Sequence, residues 1–206
     1  MQLLVANKLV INLTKTKYII FQTPKMSVAL PKEIPTLHMN NTSLEKVQEI
    51  KFLGLIVNQH LSWTSHMKYL LTKIRCGLGA VCKIKPFFNQ ASLLYLYHSI
   101  ISSHLQYCII IWCHGNKTLL DKLQKTCNRF IKLVFNIKNK NLIDRIMSEH
   151  NILTINQMFI KNLALFLFKQ NKGLNPEVFN KIFLTNNSQH NTRSNSKIIV
   201  KRSSTK

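Results

Sequence analysis

The stretch KFLGLIVNQHLSWTSH, residues 51–66, decides the fold because a short apolar run passes through a polar turn into a long helix. Residues 52–57 have the length of a strand and contain Gly54, and a glycine inside a strand marks a bulge or a close approach by another backbone. The hydroxyls of Ser62 and Thr64 could cap the amides of the helix that comes next. This stretch therefore separates a strand-forming region from a helical one.

Two long amphipathic helices are predicted after this junction, over residues 64–83 and 117–135. In both ranges, apolar side chains recur at intervals of three and four residues, which is the spacing of one buried helical face. Each stripe is flanked by basic residues, which form our candidate nucleic-acid-binding set: Lys68, Arg75, Lys83, Lys122, Lys125, Arg129 and Lys132. An ordinary solvated lysine face is the alternative interpretation of the same pattern.

The charge balance indicates a polyanionic partner. The 206 residues include 29 Lys and Arg against 7 Asp and Glu, a formal net charge of +22. Such a field attracts nucleic acid first and acidic membrane second. A genome rich in A and T would also raise the lysine content, although it would not explain the scarcity of acids.

The segment of residues 86–116 has no charged side chain and is rich in Leu, Ile, Tyr and Trp. A membrane span is one interpretation, but His and Ser side chains interrupt the middle of the segment, where lipid could not satisfy them. We expect a buried pair of helical segments instead. Trp63, Tyr95 and Tyr97 could stack on nucleic-acid bases or pack in the core.

No catalytic residue and no metal site are predicted. Polymerisation with two metal ions needs carboxylates that lie close together, and the only aspartates, Asp121 and Asp144, fall in separate predicted helices. His104, Cys108, Cys113 and His114 lack the paired spacing of a zinc site. The five cysteines are irregularly spaced, so we expect them to be reduced and mostly buried. The N-terminus lacks the features of a signal peptide, which favours an intracellular protein.

The rest of the chain completes an α+β fold that is predominantly α. Residues 17–21 predict a strand, and the prolines within residues 23–45 predict a loop. Residues 141–147 and 155–169 predict further helices, the second ending near Gly173. Residues 186–206 are rich in Asn, Ser, Lys and Arg and predict a disordered basic tail.

An ordered series of short motifs resembles the reverse transcriptases of non-LTR (LINE-type, jockey-like) retrotransposons. The motifs are ANKLVINLTKTKYIIF, KFLG, LSW with His66 three residues later, LYHSIISSHLQYCIIIW, LQKTCNRFIKLV and HNTR. The resemblance implies a palm end and primer-grip hairpin in residues 1–63, a thumb-like helical bundle in 64–135 and a helical connection in 136–185, followed by the tail. By the same resemblance, Phe52, Leu53, Gly54 and Trp63 belong to the primer grip, and Lys15 and Lys17 lie near the incoming nucleotide.

The resemblance implies a fragment of an RNA-directed DNA polymerase that grips an RNA/DNA duplex without sequence preference. The catalytic aspartates of the family lie upstream of these motifs, so the fragment would be inactive without the palm and fingers, its missing partner. The complete enzyme would need Mg²⁺ and would act in the nucleus, whereas this fragment would hold no cofactor and contact no membrane. Two alternatives stay open: a membrane-associated protein that uses residues 86–116, and a transposon relic without a cellular role.

Overall fold

The structure, a computed structural model, describes residues 6–8, 11–23, 36–39, 42–139, 141–181, 183–185 and 198–200. The chain forms two compact units, Met1–Asn151 and Ile152–Lys206. Helices dominate the described residues, and the strands are only two to four residues long. The predicted α+β fold with a predominance of helix is confirmed, while the finer division into four regions stays a prediction.

Short strand pairs occupy the beginning of the first unit. β1 (Lys17–Tyr18) pairs in parallel with β4 (Glu45–Lys46), and β2 (His38–Met39) pairs antiparallel with β3 (Thr42–Ser43). β1 ends earlier than the strand predicted over residues 17–21. The part of the predicted proline-containing loop that spans residues 24–35 lies outside the described residues.

The stretch of residues 51–66 begins inside an antiparallel hairpin, which consists of β5 (Glu49–Phe52) and β6 (Leu55–Asn58). Leu53 and Gly54 form its two-residue turn, with φ of 44° and 85°. The prediction of one strand with Gly54 inside it was therefore wrong, because a two-residue hairpin turn needs a backbone with positive φ, which glycine adopts at little cost. The Gln22 amide donates to the Gln59 carbonyl at 3.0 Å, so the residues after Tyr18 lie beside the hairpin.

Helix α1 (Thr64–Ile84) comes directly after the hairpin, but the predicted hydroxyl caps are absent from it. Its N-cap residue is Trp63, with φ of 57°, and no side chain caps the first turn. Ser62 is engaged elsewhere, because its amide donates to Asn58 Oδ1 at 2.9 Å and its Oγ accepts from Asn58 Nδ2 at 2.6 Å. The capping prediction failed because this local side-chain turn uses the hydroxyl first.

His66 joins α1 to the hairpin. Its ring is buried, and Nδ1 accepts the Ile56 amide proton at a donor to acceptor distance of 3.3 Å. The ring also lies edge-on to Trp112, with 6.0 Å between the centroids. Nδ1 can accept the Ile56 proton only when the imidazole is neutral. Burial favours the neutral form because it lowers the pKa of His66.

The uncharged segment folds into a string of short helices that is buried on one side. α2 (Gln90–Leu96) leads through a π-helical turn (Tyr97–Ser102) into α3 (Ser103–Gln106), and α4 (Ile109–Trp112) comes next. Their buried apolar residues are Leu93, Tyr97, Ile101, Leu105, Ile109 and Trp112. The predicted buried helical segments are confirmed. None of the helices in the described part of the chain has the length and apolar character needed to cross a membrane.

Helix α5 (Lys117–Phe135) runs beside α1 in the same direction. A Cβ placed on Gly115, just before α5, would lie 2.7 Å from Met67 Sδ, so the N-terminal ends of the two helices are close together. At the other ends, Lys85 Nζ donates to Asn136 Oδ1. The rings of Phe130 and Tyr97 contact at 5.3 Å between centroids, which packs α5 against the π-helical turn.

Helix α6 (Leu142–Glu149) completes the first unit by packing on α5. Ile143 and Met147 are its buried residues, one helical turn apart. The Phe135 ring lies 4.6 Å from the His150 ring between centroids, which holds the end of α5 to the end of α6. The helix predicted over residues 141–147 is confirmed.

The second unit contains α7 (Ile155–Asn171), which starts with a reciprocal capping box. Thr154 Oγ1 accepts the Gln157 amide proton, and the Gln157 side chain accepts from the Thr154 amide. Gly173, with φ of 68°, lies just after the helix as predicted for a C-terminal cap. β7 (Phe183–Thr185) pairs with β8 (Ile198–Val200). The disordered-tail prediction was therefore wrong for residues 198–200, and residues 186–197 and 201–206 lie outside the described residues.

Candidate nucleic-acid interface

Helix α5 holds its basic side chains outward because both of its ends and its apolar face are fixed. The Asn116 side chain caps the first turn by accepting the Leu119 amide proton at 3.1 Å, and Asn136 ends the helix with φ of 54°. The buried face consists of Leu119, Leu123, Thr126, Cys127, Phe130, Ile131 and Val134. Of the predicted binding residues, Lys122, Lys125 and Arg129 are exposed and Lys132 is half-buried.

A groove of about 420 Å³ opens between α5 and α6. Its lining residues are Lys125, Asn128, Arg129, Lys132, Ile143 and Asp144. Asp144 is the one carboxylate among these residues, and it forms no ion pair with any residue that the structure describes. We call this cavity the α5–α6 groove.

A second groove, of about 500 Å³, continues from the first around the C-terminal end of α5. Its lining residues are Lys85, Arg129, Lys132, Leu133, Asn136, Ile137 and Lys138. Arg129 and Lys132 line both cavities, so the two grooves adjoin. Four cations and no carboxylate are present among the described residues of this C-terminal groove, as we call it.

The positive charge of the groove residues is larger than the charge that the helix ends can neutralise. The C-terminus of an α-helix carries a partial charge of about −0.5, and nearby lysines are stabilised by it. The parallel ends of α1 and α5 therefore account for about one positive charge. Five lining cations (Lys85, Lys125, Arg129, Lys132 and Lys138) and one carboxylate (Asp144) give a net charge of +4. Most of this charge is available to an anion from outside.

Few acids oppose this field along the chain. The sequence has no Asp or Glu between Glu49 and Asp121, a span that includes the rest of the hairpin, α1 and the whole uncharged segment. Glu149 is paired with Arg145, with 2.8 Å between Oε1 and Nε. A polyanion that approaches the first unit from the side of α5 would meet Asp121 and Asp144 as the main repulsive groups on the two helices that form the α5–α6 groove.

The basic residues of α1 are arranged differently. Lys68, Arg75 and Lys83 are exposed, on the side of α1 that faces away from its buried residues. None of the three lines either groove. The structure therefore brings Lys125, Arg129 and Lys132 together and leaves the α1 residues as separate charges on an open surface.

Of the four residues proposed for a primer grip, Phe52, Leu53 and Gly54 lie at the tip of the hairpin, whereas Trp63 lies at the start of α1. Phe52 and Leu53 are 62% and 75% exposed, which is unusual for large apolar side chains. The Tyr107 hydroxyl donates to the Leu53 carbonyl, and a Cβ on Gly54 would lie 3.2 Å from the Tyr107 ring. Tyr107 thus holds the turn in place through a hydrogen bond to Leu53 and a ring contact with Gly54. Trp63 is half-buried at the start of α1.

The two lysines assigned to the nucleotide region are on the first strand and the turn before it. Lys15 is exposed in a 3₁₀ turn, Leu13–Lys15. Lys17 Nζ forms an ion pair with Glu45 Oε2 at 2.8 Å. This pair joins β1 to β4, so Lys17 has a structural partner, and its predicted contact with a nucleotide stays a prediction.

Cysteine and histidine do not form a metal site in the part of the chain that the structure describes. No group of three or more His, Cys, Asp or Glu side chains there could hold a metal ion. The prediction of mostly buried cysteines was wrong, since Cys127 is buried but Cys76 and Cys82 are exposed. Burial raises the pKa of the Cys127 thiol to about 12.

Sequence reasoning missed Lys85, Asn136, Lys138 and Asp144 as members of the grooves. Lys85 comes after α1, Lys138 comes after α5 and Asp144 belongs to α6, so only the packing of three segments brings them together. One signal was available: Asn136 comes directly after the last apolar residue of a strong helical pattern, where Asn is a common αL cap. That cap turns the chain and returns Lys138 to the groove.

Comparisons with known proteins returned no matching family model, no matching curated protein and no matching solved structure.

Proposed function

We propose that this chain binds an RNA/DNA duplex through its backbone phosphates, as the primer-grip and thumb portion of a reverse transcriptase of the non-LTR retrotransposon class. The observation that carries the proposal is the net charge of +4 in two adjoining grooves along α5. A cleft lined by one sign of charge concentrates its field and raises the local concentration of a polyanion. Phosphate contacts of this kind fix the position of a duplex without reading its sequence.

The hairpin and the long helices give the proposal its connection to polymerases. The motifs that resemble the family fall on the hairpin tip, on the start of α1 and on α5, and the last of these contains Arg129, which lines both grooves. In the proposed arrangement, exposed Phe52 and Leu53 contact the end of the primer and α5 runs along the phosphates of the duplex. The thumb-like character of α1 and α5 and the role of the tail belong to this proposal.

The proposal concerns binding, and it assigns no step of nucleotide transfer to this chain. The Mg²⁺ of the complete family enzyme needs clustered carboxylates. Asp121 and Asp144, on α5 and α6, do not supply such a cluster with any other described residue. The palm and fingers of the enzyme would provide those ligands in the proposed assembly.

A titration of the protein with a hybrid duplex at several salt concentrations tests the proposal. Each neutralised phosphate lowers the slope of log K against log salt by about 0.9 for B-form DNA, so four contacts from α5 predict a slope of about −4. Duplexes of unrelated sequence should bind equally. A slope near zero, or a strong preference for one sequence, would contradict phosphate-driven binding.

A charge-reversal variant locates the site on the molecule. Changing Lys122, Lys125, Arg129 and Lys132 to Glu should remove most of the binding, and circular dichroism should show the helix content retained. The matching Gln variant guards against damage by a carboxylate at the C-terminal end of α5, where the helix dipole disfavours it. Full binding by both folded variants would place the site elsewhere.

A further inference from the structure

Three exposed aromatic rings lie in the segment that follows Lys85, a lining residue of the C-terminal groove. Phe87 is 84% exposed, Phe88 48% and Tyr95 76%. By contrast, Leu93 and Tyr97 in the same stretch are fully buried. Tyr95 and Tyr97, which are two residues apart in the sequence, therefore have opposite environments. Tyr97 packs in the core, whereas core packing gives no role to the three exposed rings.

The backbone beneath these rings is well fixed. Pro86 lies within the 3₁₀ turn Lys85–Phe87, which restricts its φ. Asn89 caps α2 by accepting the Ser92 amide proton at 2.8 Å. Phe87 and Phe88 thus extend from a short connection between α1 and α2, and Tyr95 extends from the capped helix α2. The backbone that carries the three rings would therefore lose little conformational freedom on binding. Within the described residues, none of the three rings stacks on another ring or on a cation.

Phe87, the first of these rings, lies close along the chain to the charged surface. Lys85 lines the C-terminal groove, and Phe87 lies two residues after it, so their Cα atoms lie at most about 7 Å apart. A nucleotide carries a phosphate and an aromatic base, which suit the cationic groove and the exposed rings respectively. Proteins that hold single strands combine these same two features, a basic groove and aromatic stacking platforms.

We propose that Phe87, Phe88 and Tyr95 form a stacking subsite for unpaired bases, next to the C-terminal groove that holds their phosphates. The ligand is a single-stranded extension of the duplex, of RNA or DNA, because the faces of paired bases inside a duplex are covered by their neighbours. This inference rests on the proposed function and adds a second ligand class to the same surface. An apolar protein partner is disfavoured here because it would have to desolvate Lys85 and Lys138 beside the rings.

The test compares three hybrid duplexes: one blunt, one with a four-nucleotide single-stranded extension, and one with an extension of the same length that lacks bases. The first stacked base should strengthen binding by about tenfold over the blunt duplex. The extension without bases keeps the phosphates and should give little of that gain. Equal gains from both extensions would overturn the stacking subsite, because phosphates alone would then explain the effect.

Protein variants complete the test. Phe87→Ala/Phe88→Ala and Tyr95→Ala should reduce the gain from the extension while leaving the affinity for the blunt duplex unchanged. Phe168→Ala, which removes an exposed ring from the second unit, is the matched control and should change neither value. A 2-aminopurine placed in the extension should lose fluorescence on the wild-type protein and keep it on the double variant.

The outcomes separate this inference from the proposed function. Blunt binding that depends on salt, with no gain from the extension, would refute the subsite and leave the function standing. Failure of the blunt duplex to bind would refute the function. Capture of another protein through the rings, without any gain from the extension, would assign Phe87 and Phe88 to a protein interface and would also refute the subsite.

Discussion

The parallel helices α1 and α5 have the same design and different surroundings. Both are long, both bury one face in the same core and both expose basic side chains. The three candidate cations of α1, Lys68, Arg75 and Lys83, are spaced by seven and eight residues on an open surface. Lys125, Arg129 and Lys132 of α5 are spaced by four and three residues and border two grooves that the next part of the chain closes, whereas Lys122 lines neither groove. The two helices carry similar numbers of cations, but only α5 has cations that line the grooves.

The difference comes from the segment that the chain enters after each helix. After α1 and Lys85 the chain enters the uncharged segment, which adds apolar surface and no cation. After α5 the αL residue Asn136 turns the chain back, so Lys138 and the first turn of α6 form a wall beside Arg129 and Lys132. Clefts with low-dielectric walls focus field lines more strongly than an open surface does. The comparison therefore predicts that α5 dominates anion binding.

Matched triple substitutions test this comparison most directly. Changing Lys125, Arg129 and Lys132 to Gln should lower the affinity for a hybrid duplex by about 100-fold and reduce the salt slope by about three, since each phosphate contact contributes about one. The same change at Lys68, Arg75 and Lys83 should reduce the slope by less than about one. Both variants remove three charges, so equal losses would mean that net charge, and no groove, governs binding.

Acidification should distinguish the two helices through their buried polar groups. His66 of α1 is buried as the neutral form, with a pKa lowered by desolvation from the ordinary value of 6.5. Below pH 6.5 the unfolded chain binds a proton that the folded chain resists, so the free energy of unfolding should fall as the pH drops toward the lower folded pKa and then level off. Above pH 6.5 this group adds no pH dependence. Cys127 of α5, with a pKa of about 12, stays neutral throughout.

Denaturant unfolding between pH 7.5 and 5 measures this effect. His66→Gln provides the control, because it removes the titrating group and should flatten the profile over this range. Hydrogen exchange of the Ile56 amide, which donates to His66 Nδ1, should accelerate in acid once the intrinsic rate is corrected. An unchanged profile in the His66→Gln variant would assign the pH dependence to other groups.

Much of the helical part was predictable from the sequence. In α5, for example, the spacing of the apolar residues fits a helix and does not fit a strand. Residues 117–135 were predicted as a helix, and the structure has the same bounds. The hydrophobic pattern missed the hairpin turn, although the family resemblance implied a hairpin, because Phe52 to Val57 are apolar on both sides of Gly54 and hydrophobicity carries no sign of the reversal. The grooves were missed for a different reason: Lys85, Lys138 and Asp144 belong to three segments, and no local pattern records their meeting. The cap expected at Ser62 failed for a local reason, because Asn58, four residues earlier, forms hydrogen bonds with the amide and the hydroxyl of Ser62.

The two glycines of α1 show how closely that helix is packed, whereas α5 has none. A Cβ on Gly77 would lie 2.8 Å from Ile100 Cγ2, while a Cβ on Gly79 would meet no atom within 4 Å. Gly79→Ala should therefore raise the free energy of unfolding by about 1 kcal/mol through helix propensity. Gly77→Ala should give less than this or be destabilising, because Ile100 must move. Thermal or denaturant unfolding of both variants measures the difference, and equal stabilisation would show that the contact with Ile100 is loose.

The smallest expected effect concerns the single carboxylate of the α5–α6 groove, and it is a gain of binding. Asp144 lines the cavity with Lys125, Arg129 and Lys132 and repels any phosphate that enters it. Asp144→Asn keeps the shape and removes the repulsion, so the affinity for a duplex should rise by about threefold, which corresponds to about 0.6 kcal/mol. Asp121→Asn makes the same charge change on an exposed residue of α5 that lines neither groove, and it should raise the affinity less. If the two substitutions act equally, the groove has no special role and the field of the whole chain sets the affinity. If only Asp144→Asn acts, the phosphate lies between α5 and α6, because a local effect from one charge requires the ligand to be within a Debye length of about 10 Å at 0.1 M salt.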